Sequence, residues 1–412
     1  MTVTKTSESS PPNKSIVPNT AEVPLALAIL AIVFVAIDLR PGIVSIGPVL
    51  PSIREAFHLS HTSAALMTSI PDVFMGLLAL PTPWLARRFG RDRVMLAALI
   101  LLLLSISLRA FAQSIAELLV CTGGVGAGIA IAGTLVAGFI KAEFPSRVAS
   151  AMGLYGTSLA VGSVAAAALT GPLAERTQMG WRFATGGWSL LGIGAILSWA
   201  LATRGASKVG PQVTHFLHVY PLPLGNRKAW SIAIFFGVNN LLFYALLAWI
   251  PSLYRDLGYS PARAGLILAC FAVLSLLGNP VFGILSHSRD RRVWLGISGA
   301  ICCIGLVGLL VAPTSAPYLW ISLAAFGQAG GFTLGMTLPL DNTDSVEETD
   351  VWNAFTLTVG YLIASAGPML VGFLRDRTGS FRAPVECLVA VGVVMLCLSA
   401  ILGPRKLPST GA

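Results

Sequence analysis

The sequence predicts an all-α membrane protein: twelve transmembrane helices in two six-helix bundles related by a pseudo-two-fold axis. Three observations predict it. First, 55% of the 412 residues are hydrophobic and only 11% are charged, against roughly 25% charged in soluble domains. So few charges cannot cover a water-facing surface, which excludes a soluble multidomain enzyme. Second, runs such as Ala97–Leu104 and Ile301–Val311 are apolar all round, as lipid-facing helices are. Third, the chain repeats itself at an offset near 200 residues.

In chain order, apolar runs punctuated by Pro, Gly and charge place helices near 23–53, 62–86, 93–112, 115–141, 148–173 and 182–203. The second set lies near 229–254, 261–286, 293–312, 317–340, 351–374 and 384–402. The resulting units are a disordered cytosolic tail (1–22), an N-terminal bundle (23–203), a cytosolic linker (204–228), a C-terminal bundle (229–402) and a cytosolic tail (403–412). The first 20 residues are rich in Ser, Pro, Thr and Asn and lack the charged-then-apolar order of a cleaved signal.

The repeat is visible in ordered matches. Leu50-Pro51-Ser52-Ile53-Arg54 returns as Ile250-Pro251-Ser252-Leu253, followed by Tyr254-Arg255. Leu173-Ala174-Glu175-Arg176-Thr177 returns as Leu374-Arg375-Asp376-Arg377-Thr378, and Trp181-Arg182 as Phe381-Arg382. Asp92-Arg93-Val94 has its counterpart in Asp290-Arg291-Arg292-Val293. Two parallel repeats place a site at the midplane between the bundles.

Seventeen of the 27 Lys and Arg residues fall on the side of the termini. Nine, including Arg109, fall on the other, and Arg40 lies inside a helix. This bias puts both termini in the cytosol. The net charge of +9 is therefore topological, and no nucleic-acid partner is expected. The six cysteines lie in apolar runs without metal-ligand or disulfide spacing, and no metal or cofactor is expected.

Arg40 is the most informative residue. Roughly 20 Å of helix separates it from either surface, beyond the reach of a snorkelling side chain. Burying such a charge costs at least about 2.5–3.5 kcal/mol, so it faces a watery cavity or a partner. Its planar fork suits an anionic or strongly polar solute; the bland reading is a structural ion pair. Asp38 sits about 200° around a straight helix from Arg40, although Pro41 disturbs that geometry. Proton carrier and partner of Arg40 or a hydroxyl both stand as readings of Asp38. Asp72, after Pro71 in the second helix, is likewise a coupling carboxylate or a counter-ion for Arg40.

Asn239 and Asn240 occupy the repeat positions of Leu39 and Arg40, so Asn240 is either a solute contact or glue between helices. Tyr155, Tyr244, Gln328 and Tyr361 are further solute-contact candidates, with packing as the alternative. The glycines of helices 4 and 10, including Gly124-x-x-x-Gly128, read as close packing and not as a phosphate loop. Asp341, Asp344, Glu347, Glu348 and Asp350 read as a solvated loop between helices 10 and 11, ahead of a metal site. Glu386 reads as interfacial.

The loop Leu85-Ala86-Arg87-Arg88-Phe89-Gly90-Arg91-Asp92-Arg93 resembles the signature loop of the major facilitator superfamily. It departs at Arg87, where that signature has an Asp. The resemblance implies alternating access and a cytosolic gate carried by Arg87, Arg91, Asp92, Arg93 and Asp290. More narrowly, the chain is similar to the cyanate permease and 2-nitroimidazole transporter family from about residue 25 to 402. The matching features are Asp38-Leu39-Arg40-Pro41, Gly47-Pro48, Leu50-Pro51, Gly126-Ala127-Gly128-Ile129-Ala130 and Lys141-Ala142-Glu143-Phe144-Pro145. Gly237-Val238-Asn239-Asn240, Trp249-Ile250-Pro251 and Gly367-Pro368 fit as well.

The expectation is a monomeric secondary active transporter of the bacterial inner membrane, not an enzyme. It moves a small polar solute, anionic or electron-rich, with protons as a further partner. The rival is a broad-specificity multidrug efflux transporter of the same fold.

Overall fold

The computed structural model describes residues 25–144, 148–204, 221–286 and 290–403. The expected tails, most of the linker, and the residues joining helices 4 and 5 and helices 8 and 9 lie outside them. The described residues form twelve helical rods. They are α1 (Leu25–Phe57), α2 (His61–Ala79, continued by Thr82–Phe89), α3 (Arg91–Arg109), α4 (Ile115–Glu143), α5 (Val148–Arg176) and α6 (Trp181–Thr203). The second six are α7 (Arg227–Asp256), α8 (Pro261–Leu285), α9 (Arg292–Val311), α10 (Pro317–Asn342), α11 (Val346–Ala364, continued by Ala366–Thr378) and α12 (Arg382–Ser399).

Ten spans are long and apolar enough to cross a membrane. The other two are α3 and α10. The first carries Asp92, Arg93 and Arg109, and the second is diluted by Gln328 and its glycines.

Breaks inside α1, α2 and α11 lie beside proline, whereas α6 breaks at Gly187–Trp188 without one. α1, expected to end near 53, continues to Phe57 but is interrupted at Arg40 and Ser45, on either side of Pro41–Val44. α2 is interrupted just before Thr82, beside Pro81 and Pro83, and α11 at Ser365, just ahead of Pro368.

The repeat extends to the connections. His58 ends α1 in the left-handed region (φ 50°), and Gly258 ends α7 there too (φ 88°). Leu59 N–H donates to the Arg54 carbonyl and Tyr259 N–H to that of Tyr254. Ser60 and Ser260 then cap α2 and α8, accepting from Ser63 N–H (3.0 Å) and Arg263 N–H (3.3 Å).

Within each bundle, glycines let backbones approach. A Cβ at Gly128 would lie 2.9 Å from Leu102 Cβ of α3, and Gly327 of α10 abuts Ser298 and Cys302 of α9. Between bundles, α2 packs on α11, α5 on α8 and α1 on α7. Several close contacts of these pairs lie at the end away from the termini, hereafter the far end. There Gly372 meets His61, Gly171 meets Pro261 and Gly265 meets Ala167. Toward the terminal end, Gly138, Gly153 and Gly156 of α4 and α5 face open space.

Candidate functional site

Proline at 41 removes one backbone donor from α1, and Arg40 sits at that break (φ −93°, ψ −41°). Its carbonyl accepts from Ile43 N–H (3.1 Å) and Val44 N–H (3.0 Å), which starts the next turn. The side chain is half-buried and makes no ion pair among the described residues.

Around Arg40 stand groups from four other rods. Its charge acts on Asp72 of α2, Tyr155 of α5, Tyr244 of α7 and Tyr361 of α11. The guanidinium lies near the Tyr244 hydroxyl, and the Tyr244 ring lies beside that of Tyr361. Helix geometry explains the convergence. Gly162 of α5 sits against the Ile37 carbonyl of α1, and Tyr155 lies two turns away on the same face. Gly76 sits against Thr358 and Leu362 of α11, and Asp72 lies one turn before it. Asp72 is fully buried, and neither carboxylate oxygen has a hydrogen-bond partner.

Aromatic rings complete one wall. Tyr244 and Tyr361 are 6.3 Å apart, with Phe243 beside Tyr244 (5.2 Å) and Phe236 beside Tyr361 (6.1 Å). Phe332 of α10 continues the row, 5.7 Å from Phe236. The three phenylalanines were not singled out from the sequence, because buried Phe in an apolar run carries no periodic signal of its own.

Other expected residues lie elsewhere. Asp38 is buried with both oxygens unpartnered, and no interaction joins it to Arg40 among the described residues. The Asn240 amide donates to its own helix at the Phe236 carbonyl (2.8 Å), and the residue is 3% exposed. Gln328 is buried with both polar atoms unpartnered, one turn from Gly331, against which the Asn239 oxygen rests.

At the terminal end, Arg91 makes two contacts with acids: Nε to Asp92 at 3.3 Å and Nη2 to Glu143 at 3.9 Å. In the second half Arg291 reaches Asp341 at 2.8 Å and donates to the Ser286 hydroxyl (3.1 Å) and carbonyl. One arginine in each half, Arg91 and Arg291, is thus tied to the end of the following helix. Asp290 pairs with Arg292, two residues on (2.6 Å), which holds its carboxyl below the usual range. Arg87 makes no ion pair among the described residues, and Arg93 lines a shallow recess with Leu85 and Arg88.

Three sequence expectations change. Glu347, Glu348 and Asp350 lie in the first turns of α11 and not in a loop, because Ser345 caps that helix by accepting from Glu348 N–H. Asp341 is not in a solvated loop: it lies in the last turn of α10, its side chain 7% exposed, because Arg291 draws it inward. Arg109 is not a surface charge: it is 1% exposed, because Gly42 and Thr122 offer it acceptors inside the bundle. Glu386 is exposed and pairs with Arg382 (3.1 Å). Among the described residues no group of three or more His, Cys, Asp or Glu could hold a metal.

Two helical bundles with a polar cluster between them have the architecture of a multi-pass membrane transporter. The chain belongs to the Major Facilitator Superfamily, whose family model matches residues 27–349. It is a secondary transporter, not an enzyme. It is 30% identical over 385 residues to the 2-nitroimidazole transporter of Escherichia coli (strain K12), covering 92% of this chain and 95% of that one. It is 29% identical over 375 residues to the cyanate transport protein CynX of the same organism, covering 90% and 96%. The fold superposes with a TM-score of 0.76 on a bacterial homolog of the human lysosomal transporter Spinster, at 18% identity over 92% of this chain and 95% of that one.

Proposed function

We propose that the protein carries a small anionic or electron-rich solute across the bacterial inner membrane by alternating access, with Arg40 as the solute-binding group. The observation that carries this reading is the half-buried guanidinium between the bundles, which makes no ion pair among the described residues. Its fork offers two parallel donors to a carboxylate-, cyanate- or nitro-type group. Tyr155, Tyr244 and Tyr361 add hydroxyls, and the aromatic wall accepts a flat or rod-like body. The cargoes named for the two relatives, 2-nitroimidazole and cyanate, share that chemistry.

Asp72 is the proposed proton site, since it is a fully buried carboxyl with no hydrogen-bond partner that feels the charge of the solute-binding arginine. The termini are cytosolic by charge bias. Arg91, Asp92, Arg93, Arg87 and Asp290 belong to the cytosolic gate, together with Glu143, Arg291 and Asp341. The carrier functions as a monomer.

Uptake of labelled cyanate and 2-nitroimidazole into proteoliposomes tests this. Arg40→Gln abolishes uptake and Arg40→Lys retains little, because an ammonium lacks the fork. Wild-type uptake by folded Arg40→Gln rejects the reading. Inhibition by lipophilic cations and not by small anions favours the drug-efflux alternative.

A further inference from the structure

Arg109 ends α3 with its guanidinium buried inside the N-terminal bundle. No carboxylate pairs with it among the described residues. Nη1 donates to the Gly42 carbonyl at 2.8 Å and Nη2 to the Thr122 hydroxyl at 3.3 Å. Thr122 is itself held by donating to the Leu118 carbonyl at 2.7 Å. Gly42 lies two residues past Arg40, within the Pro41–Val44 turn that interrupts α1. That turn lies close against α4, since a Cβ at Gly42 would fall 2.8 Å from Val125 Cγ1.

The repeat supplies an internal comparison. The position 200 residues after Arg109 is Leu309, buried in α9. The stretch corresponding to Arg40–Val44 is Asn240–Tyr244, within the uninterrupted helix of α7. Where the helix is broken an arginine reaches its backbone; in the half whose helix is continuous the matching position is a leucine. Packing alone therefore does not call for a guanidinium, whose burial is costly in a membrane.

We propose that Arg109 is a positioning residue for solute binding: it fastens the Pro41–Val44 turn and so fixes the direction in which Arg40 projects between the bundles. The proposal rests on Arg40 as the solute-binding group. Arg109 does not touch the solute.

The test measures the turn directly, by electron–electron distance between nitroxides at Arg40→Cys and Tyr361→Cys in the full chain with its six native cysteines replaced. With Arg109 present, the distribution is one narrow peak. Arg109→Leu, the residue found at the repeat position, loses that peak and gives a broad distribution. Gly42→Ala does the same by pushing the turn from Val125, and Arg109→Lys, which keeps one charged donor, recovers part of the peak. Leu309→Ala, a comparable core change in the other bundle, leaves the peak intact. An unchanged distribution in folded Arg109→Leu overturns the proposal, as does equal broadening in Leu309→Ala. Full transport by Arg40→Gln would instead remove the reading of the site, and the distance result would stand apart from it.

Discussion

The Asp376 carboxylate of α11 holds the first turn of α2 across the bundle interface. Its Oδ1 accepts from His61 N–H at 2.8 Å and lies 2.7 Å from His61 Nδ1. Its Oδ2 accepts from Thr62 N–H and Thr62 Oγ1, both at 2.7 Å. An acid at a helix N-terminus satisfies free donors and the dipole together. His61 in turn lies against Trp249 (5.6 Å) and meets Phe381 edge-on (6.1 Å) at the far end. The repeat does not duplicate this latch, because the residue matching His61 is Pro261, which has no N–H to offer. Asp376→Asn keeps one acceptor oxygen and loses the charge, about 2 kcal/mol of closure. The ratio of closed to open far ends should fall roughly thirtyfold. Distances between spin labels at Ser60 and Ser380 should show the added long population; an unchanged distribution counts against the latch.

Closure also depends on two glycines at matching positions. A Cβ at Gly372 would fall 2.6 Å from the His61 carbonyl oxygen, whereas one at Gly171 would fall 3.1 Å from that of Pro261. The first contact cannot form without backbone displacement, and the second needs only a small shift. Overpacking costs about 1–3 kcal/mol. Gly372→Ala should therefore slow exchange severalfold more than Gly171→Ala, measured as counterflow in proteoliposomes. Equal rates in the two variants would show that the α2–α11 contact is not the tighter seal.

The depth of Arg40 was legible because depth in a membrane helix is a count of residues. The offset of 200 was legible because Pro51 and Pro251 mark the same point of two helices. Side-chain direction is not a count. Arg109 ends an apolar run, as an interfacial anchor does, and only the Gly42 carbonyl brought near by folding turns it inward. Asp341 likewise followed from Arg291, 50 residues earlier in the chain. Asp38 and Asp72 looked equivalent in sequence, and the fold separated them by placing only Asp72 in the field of Arg40.

That separation makes the two carboxylates distinguishable. Asp72→Asn should preserve solute exchange in both directions yet lose accumulation driven by a pH gradient. Asp38→Asn should keep accumulation, since it lacks the electrostatic link to Arg40. Both are read from uptake with and without an imposed gradient. Full accumulation by Asp72→Asn would exclude it as the proton site.

The paired gate arginines differ in geometry and should differ in cost. Arg291 and Asp341 lie 2.8 Å apart with side chains 15% and 7% exposed, while Arg91 and Glu143 lie 3.9 Å apart at 30% and 25%. Leaving Asp341 buried without its partner is expensive, whereas the looser pair contributes no more than about 1 kcal/mol. Arg291→Ala should lower the melting temperature of the purified carrier clearly, and Arg91→Ala only slightly. The reverse order would mean that the Arg91 pair is closer in the membrane than its separation here.

Accessibility tests the site and the closed end at once. Single cysteines at positions 40, 155 and 361 replace half-buried side chains that border the space between the bundles, whereas those at 38 and 240 replace buried ones. In a background lacking the six native cysteines, a small polar thiol reagent should modify the first three and spare the other two. Because the far-end contacts join α2 to α11 and α5 to α8, the reagent should arrive from the terminal end. Inverted membrane vesicles should therefore label faster than intact cells if the termini are cytosolic. Adding Asp376→Asn, which loosens the far end, should raise labelling in intact cells at the same three positions. Labelling at 240 equal to that at 40 would place both bundles' repeat positions in the cleft. It would also mean that the bond from Asn240 to the Phe236 carbonyl opens during the cycle.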